Sequence, residues 1–351
     1  MEKKKIRILS IDGGGIRGIL PGVILTYIEE RLMAKEGKHV RLSDYFDLMV
    51  GTSTGGILTC TYLVPGVNSD GKPSGRPKFT AKEAVDIYLE RGDDIFDLTL
   101  WQKIRSKGGL TDEKYSADKL EKALNDYFGA TKLSELLKPC LITSYDIRNR
   151  RAHFFSQIDA KATITHDYPV KDVTRATSAA PTYFEVAQVK SEYGTVYPLI
   201  DGGVFANNPA MCAYAEARSI AFSTILNDPE KADKPYAKEM VIISIGTGST
   251  NKPYHYDKAK DWGMIQWIQP IIDIMMSGNA ETVNYQLRKI WETTGTPEDY
   301  IRLEPSLYEA SSNMDDASDK NLKALHDAGK QFVAENEMLL NKIADKLIAH
   351  K

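Results

Sequence analysis

Short apolar runs alternate along the chain with segments whose apolar residues recur at helical spacing, the pattern of a mostly parallel sheet covered by helices. Residues 6–11 predict a first strand. The segment after it sets Leu20, Val23, Ile24, Tyr27, Ile28 and Leu32 on one face, with Pro21 early and Gly37 past the end, and predicts a helix. A second unit has the same shape: Asp47–Val50 as strand, Gly51–Gly56 as glycine loop, Ile57–Val64 as helix. Residues 65–79 carry three prolines and three glycines and predict a polar loop with no element of its own. Thr80 with Glu83 at capping-box spacing opens a further helix, and another is expected from about Ser116 to Phe128, stopped by Gly129. Leu141–Tyr145, Ala152–Phe155, Tyr183–Val189 and Val196–Ile200 read as strands. Met240–Ile245, closed by Gly246, Thr247 and Gly248, reads as the most buried strand. Asn321–His350 reads as amphipathic helix. No internal repeat is present, so the expectation is one domain over 1–351, with core motifs at about 6–210 and a helical part at about 260–350.

Composition narrows the class. With 351 residues, 42% hydrophobic and 26% charged, the chain is neither disordered nor collagen-like, and surface scaling lets it bury about three quarters of its unfolded surface. Forty-five Lys and Arg against 48 Asp and Glu leave a net charge of −3, which offers no global field for a nucleic acid polymer or an anionic membrane. Three separated cysteines, Cys60, Cys140 and Cys212, suit neither a disulfide framework nor a zinc spacing and read as core residues of a reducing compartment. Asp12 interrupts the first apolar run before a signal sequence could form, and no apolar run approaches the ~20 residues that span a bilayer. The expected location is cytoplasmic, with only transient contact at a membrane surface.

Three glycine motifs carry the chemistry. Gly51-Thr52-Ser53-Thr54-Gly55 is a G-x-S-x-G between a strand and a helix, where small neighbours allow a sharp turn that exposes a serine hydroxyl; in isolation it equally suits a helix-capping serine. Gly13, Gly14 and Gly15, followed by Arg17 and Gly18, present backbone N–H groups at a helix N-terminus, suited to a developing oxyanion. The same glycines also satisfy a dinucleotide fingerprint, but Asp12 would then sit beside a pyrophosphate. Asp201-Gly202-Gly203 closes another strand. It could be a simple Asp-Gly turn, yet none of the six histidines stands in a catalytic-looking context, which raises the standing of Asp201 as a functional residue.

Asp12–Gly18, Gly51–Gly56 and Asp201–Gly203, in this order, resemble the patatin-like phospholipases, and Ala176–Phe184, Asn207–Pro209 and Met314–Ser318 extend the likeness over nearly the whole chain. The resemblance implies an α/β three-layer sandwich with a central mostly parallel sheet between helices. It also implies a lipid acyl hydrolase of phospholipase A type without metal or other cofactor, with Ser53 as nucleophile, Asp201 as base, and Gly13, Gly14 and Gly15 as oxyanion hole with Arg17 nearby. The implied partner is a membrane phospholipid or related lipid ester met at the membrane periphery. Some bacterial members are defence effectors switched on by cyclic nucleotides, and no motif here shows such a switch. A Ser-Asp-His esterase using His255 or His326, or a storage protein on the same scaffold, stays open as an alternative.

Residues 264–276 combine Trp267 with several Ile and Met residues and one charge. The pattern fits a core or lid helix broken at Pro270, or a segment at the acyl-chain entrance where an indole suits a membrane interface.

Overall fold

The computed structural model describes residues 3–95, 118–249 and 253–351. Ten strands are present among them: β1 (Ile6–Ile11), β2 (Leu48–Thr52), β3 (Pro65–Val67), β4 (Pro73–Pro77), β5 (Cys140–Asp146), β6 (Arg151–Ser156), β7 (Ala187–Lys190), β8 (Val196–Asp201), β9 (Met240–Ile245) and β10 (Tyr300–Leu303). The longer helices are α1 (Ile19–Glu36), α2 (Thr54–Leu63), α3 (Ala81–Ile95), α4 (Asp118–Phe128), α5 (Val170–Thr177), α6 (Ala210–Ala217), α7 (Met264–Glu292), α8 (Asp319–Glu335) and α9 (Glu337–Ala349).

β10, β9, β1, β2 and β5 lie side by side in parallel, while β6 and β8 run antiparallel to β5, and β7 antiparallel to β8. Side chains alternate across this sheet at period two. Leu9, Ile11, Val241, Ile243 and Ile245 enter the core beneath α1, α3, α4, α5, α8 and α9; Ile6, Ile8, Met240 and Ile242 enter a second core under α6 and the C-terminal half of α7. Helices therefore cover both faces, as the expected sandwich requires.

One edge of β5 sets the position of everything that follows. β6 occupies its far edge along 141–146, so the near edge is shared. β2 pairs there with Cys140–Thr143 and β8, arriving from the opposite direction, pairs with Ser144–Asp146. Thr52 opposite Thr143 and Asp201 opposite Ser144 bring the ends of two strands together head to head.

The other end of the sheet is held by charge. Asp47, 2% exposed at its side chain, accepts from Arg7 and from Lys231 at 2.8 Å each. Arg7 Nη1 also donates to Leu347 O at 3.1 Å and Lys231 Nζ to His350 O at 2.8 Å, so the last turn of α9 is tied to the start of β1. Burial lowers the Lys231 ammonium to about 8 against the pull of Asp47.

Four expectations change. Residues 65–79 form a hairpin of β3 and β4, because the Asn68 side chain accepts from the amides of Asp70 and Lys72 and turns the chain, and prolines are tolerated in a two-stranded exposed ribbon. Tyr183–Val186 do not extend β7: the amides of Tyr183 and Phe184 turn back onto Ala180 O. The final helical stretch is two helices divided at Asn336. Pro270 does not end α7: it is the seventh residue of the helix, which continues through it to Glu292. The capping box holds, with Thr80 N on Glu83 Oε2 at 2.7 Å and Glu83 N on Thr80 Oγ1 at 3.1 Å. The helix expected from Ser116 begins at Asp118 among the described residues; 116 and 117 lie outside them. No described helix is long and apolar enough to cross a membrane.

Candidate active site

Ser53 stands in the one-residue turn between β2 and α2, with φ 54° and ψ −124°. A non-glycine residue in this region is strained, and the strain is held by its surroundings. Its amide donates to Thr177 Oγ1 at 2.8 Å, and Thr177 in turn donates to Thr143 O at 2.6 Å. α2 packs close behind: a Cβ at Gly55 would lie 2.2 Å from Ile11 O, so the last glycine of the motif allows the helix to touch β1. Ser53 is thereby placed at the N-terminus of a ten-residue helix, where unpaired amides and the helix dipole favour negative charge.

Asp201 meets it across the head-to-head junction of β2 and β8. Its carboxylate accepts a hydrogen bond from the Gly203 amide at 2.7 Å and stands near enough to the Ser53 hydroxyl for that group to favour its charged form. The side chain is shut away from water, only 5% of the residue being exposed. Burial pushes this carboxyl up to about 7, and the nearby Ser53 hydroxyl and the Gly203 amide pull the other way. A carboxylate that exchanges its proton near neutrality beside a serine hydroxyl is chemically able to take that proton.

The glycine loop after β1 faces the pair. The amide of Gly13 donates to Asn207 O at 3.0 Å and is therefore occupied. The amides of Gly14 and Gly15 have no partner among the described residues, and both glycines line the cleft that contains Ser53 and Asp201. The carbonyl ends of these two peptides are anchored: Thr247 Oγ1 donates to Gly13 O at 2.7 Å, and the backbone amide and Nε of Arg17 approach Gly14 O at 3.2 and 3.4 Å. Because N–H and C=O point opposite ways across a trans peptide, these anchors aim the free amides away from themselves. Arg17 also donates to Gly248 O at 3.3 Å and does not line the cleft. Of the four residues expected to build an oxyanion hole, Gly14 and Gly15 bring unpartnered amides to the cleft among the described residues, Gly13 has its amide on Asn207, and Arg17 bonds the loop's carbonyls from outside the cleft.

A Cβ on Gly14 would lie 2.1 Å from Thr247 Oγ1, and Gly15, at φ 59°, has Met314 O 2.2 Å from where its Cβ would be. Ile16 N donates to Met314 O at 2.9 Å, which fastens the loop to the segment before α8. Behind the loop, Arg302 of β10 holds Asp12 with two bonds, at 2.9 and 2.7 Å, and the paired carboxylate keeps this guanidinium charged well above its usual range.

The walls of the cleft are chiefly apolar, from Ile57, Phe184, Val204, Ile272, Met276 and Met314 among others. No histidine lines it among the described residues. His255 is exposed ahead of a short helix, and His326 lies on α8 beside Asp327. Sequence reasoning missed Thr177, Thr247 and Arg302; Thr247 stood between two glycines after the most buried strand, where a loop-anchoring role was a readable signal.

Residues 9–214 match the family model described as Patatin-like phospholipase. The chain is 34% identical over 355 residues to Patatin-like protein 1 of Arabidopsis thaliana, covering 96% of this chain and 83% of that protein. It is also 34% identical to Patatin-like protein 2 of Oryza sativa subsp. indica, covering 95% and 85%. Among solved structures, VipD from Legionella pneumophila aligns over 95% of this chain and 67% of its own at a TM-score of 0.37 and 12% identity.

Proposed function

Since the chain belongs to the patatin-like phospholipase family, we propose that it is a lipid acyl hydrolase of phospholipase A type, cleaving carboxylic esters of membrane glycerolipids with Ser53 and Asp201. Asp201 takes the hydroxyl proton as Ser53 Oγ attacks the ester carbonyl. The oxyanion develops beside the Gly14 and Gly15 amides and the N-terminus of α2, and the proton then passes to the departing alcohol. Water, activated by the same carboxylate, resolves the acyl-enzyme. The observation that carries this reading is the Ser53 hydroxyl set beside a buried carboxyl in one cleft, the carboxyl's proton affinity being raised to about 7.

The walls support the substrate class. Apolar side chains suit an acyl chain, and among the described residues no cationic side chain lines the cleft to grip a phosphate. The reading therefore extends to lysophospholipids and neutral glycerolipids.

A fluorophosphonate should label the protein once, at Ser53, without added metal, and phosphatidylcholine vesicles should yield free fatty acid. Ser53→Ala and Asp201→Ala should each lower turnover by about a thousandfold or more. Activity that survives Asp201→Ala but falls with His255→Ala or His326→Ala would instead favour a triad. A folded protein that neither labels nor hydrolyses would be a binding protein. Repeating the assay with cyclic nucleotides reads whether the nucleotide-activated defence role of some relatives applies.

A further inference from the structure

α7 presents a second apolar surface to solvent, beside the one it presents to the cleft. Met264, Trp267, Ile271, Ile274 and Met275 are 88%, 41%, 48%, 47% and 46% exposed. At about 100° per residue these five fall on one stripe, roughly a quarter to a third of the helix circumference. Ile272 and Met276 fall on the adjoining stripe and line the cleft, and Met275 belongs to both. Farther along the same helix, Val283, Leu287 and Trp291 are buried in the core beneath the sheet. One helix thus anchors at its C-terminal half and offers its N-terminal half to the outside at the mouth of the site.

Aromatic rings extend the stripe. Trp262 stacks edge-on against Trp267 at 5.0 Å and against Tyr254 at 5.3 Å, and Tyr256, two residues after Tyr254, is 78% exposed. Charge does not compete: residues 253–280 hold two lysines and three aspartates, and one of these, Asp273, accepts from Tyr254 at 2.8 Å.

We infer that the N-terminal half of α7, with the Tyr254, Trp262 and Trp267 rings, is a docking face for an electrically neutral lipid surface, and that it delivers acyl chains past Met275 into the cleft. The inference rests on the ester-hydrolase reading above for what happens after delivery, but not for the docking itself. The occupant follows from continuity: an apolar stripe that merges with an apolar catalytic cleft suits the material the cleft is to receive. Interfacial Trp and Tyr suit the headgroup boundary, and the absence of a basic cluster in this segment points to zwitterionic rather than anionic lipid.

The test uses the full chain with vesicles of pure phosphatidylcholine and a short soluble ester. Wild type should float with the vesicles, with a blue shift in tryptophan emission, and its binding should not need anionic lipid. Ile271→Asp with Ile274→Asp places two charges on solvent-exposed positions outside the cleft. This variant should lose flotation and lower vesicle hydrolysis about tenfold or more, while soluble-ester hydrolysis stays within about twofold. Equal losses on both substrates, or wild type that fails to float, would overturn the inference. So would a dimer that the variant makes monomeric with vesicle hydrolysis unchanged, which would assign the face to self-association. Flotation without hydrolysis of either ester would leave the docking face standing and remove the proposed chemistry.

Discussion

Replacing Asp201 by Asn should inactivate the protein and stabilise it. The carboxyl normally loses its proton near 3.8, but burial moves it to about 7 in the fold. Across the interval the native state keeps a proton that the unfolded chain releases, so this group's contribution to stability is intact below about 3.8 and is lost as pH rises to 7. The displacement of about three pH units corresponds to a cost of about 4 kcal/mol at pH 8, the ceiling on what the substitution can recover. Asn keeps the acceptor for the Gly203 amide, and its NH₂ group meets the Ser53 hydroxyl, so no polar atom need be orphaned. A recovery of about 2–4 kcal/mol raises the melting temperature by about 3–5 °C for a chain of this size. Paired melts of wild type and variant at pH 8 and pH 5 isolate the effect, because every other titrating group is common to both. The advantage of Asn should shrink by more than half at pH 5. An Asn variant that melts below wild type at pH 8, or a gap that does not change with pH, would refute the assignment of a strained, destabilising charge to this site.

The same carboxyl sets the pH profile: kcat/KM for a soluble ester should fall about tenfold per unit below pH 7 and level off above it, and a flat profile from pH 5 to 8 would exclude Asp201 as base. Gly14→Ala drives a methyl group into Thr247 and should reduce kcat far more than substrate affinity; Thr247→Ala alone should cost about tenfold, and the double variant should recover activity relative to Gly14→Ala, a coupling that steady-state kinetics on the cycle would measure. Asp47→Asn leaves Arg7 and Lys231 buried without their anion and should lose about 3–5 kcal/mol, read as a lowered urea midpoint, with kcat of the remaining folded protein unchanged.

Local patterns carried the layer architecture, since β1, β2, β9 and the helices after the first two strands are each marked by period, caps and glycines. Ser53 and Asp201 were legible as candidates for the same reason: each ends an apolar run in a glycine-rich turn. What no local pattern holds is the sharing of one edge of β5 by two strands from opposite directions, and that junction is what brings the two side chains together. The choice among Gly13, Gly14 and Gly15 likewise depends on Asn207 and Thr247, which are distant in sequence. The ribbon at 65–79 was obscured by its own prolines. The exposure of α7 was unreadable because an apolar stripe looks alike whether a core or a solvent-facing surface receives it.

The cluster around Asp47 lies where β1 and β2 begin, while Ser53 and the glycine loop lie where they end, separated by a five-residue strand of about 17 Å. Cohesion and chemistry are thus lodged at opposite poles of the sheet. A lineage can rebuild loops at the reactive pole to accept new esters without loosening the fastening at the other, and an engineer can add rigidity at the Asp47 pole without stiffening the cleft. In a protein that must keep one serine in an unfavourable backbone conformation, this separation lets tolerance to mutation and reactivity vary independently.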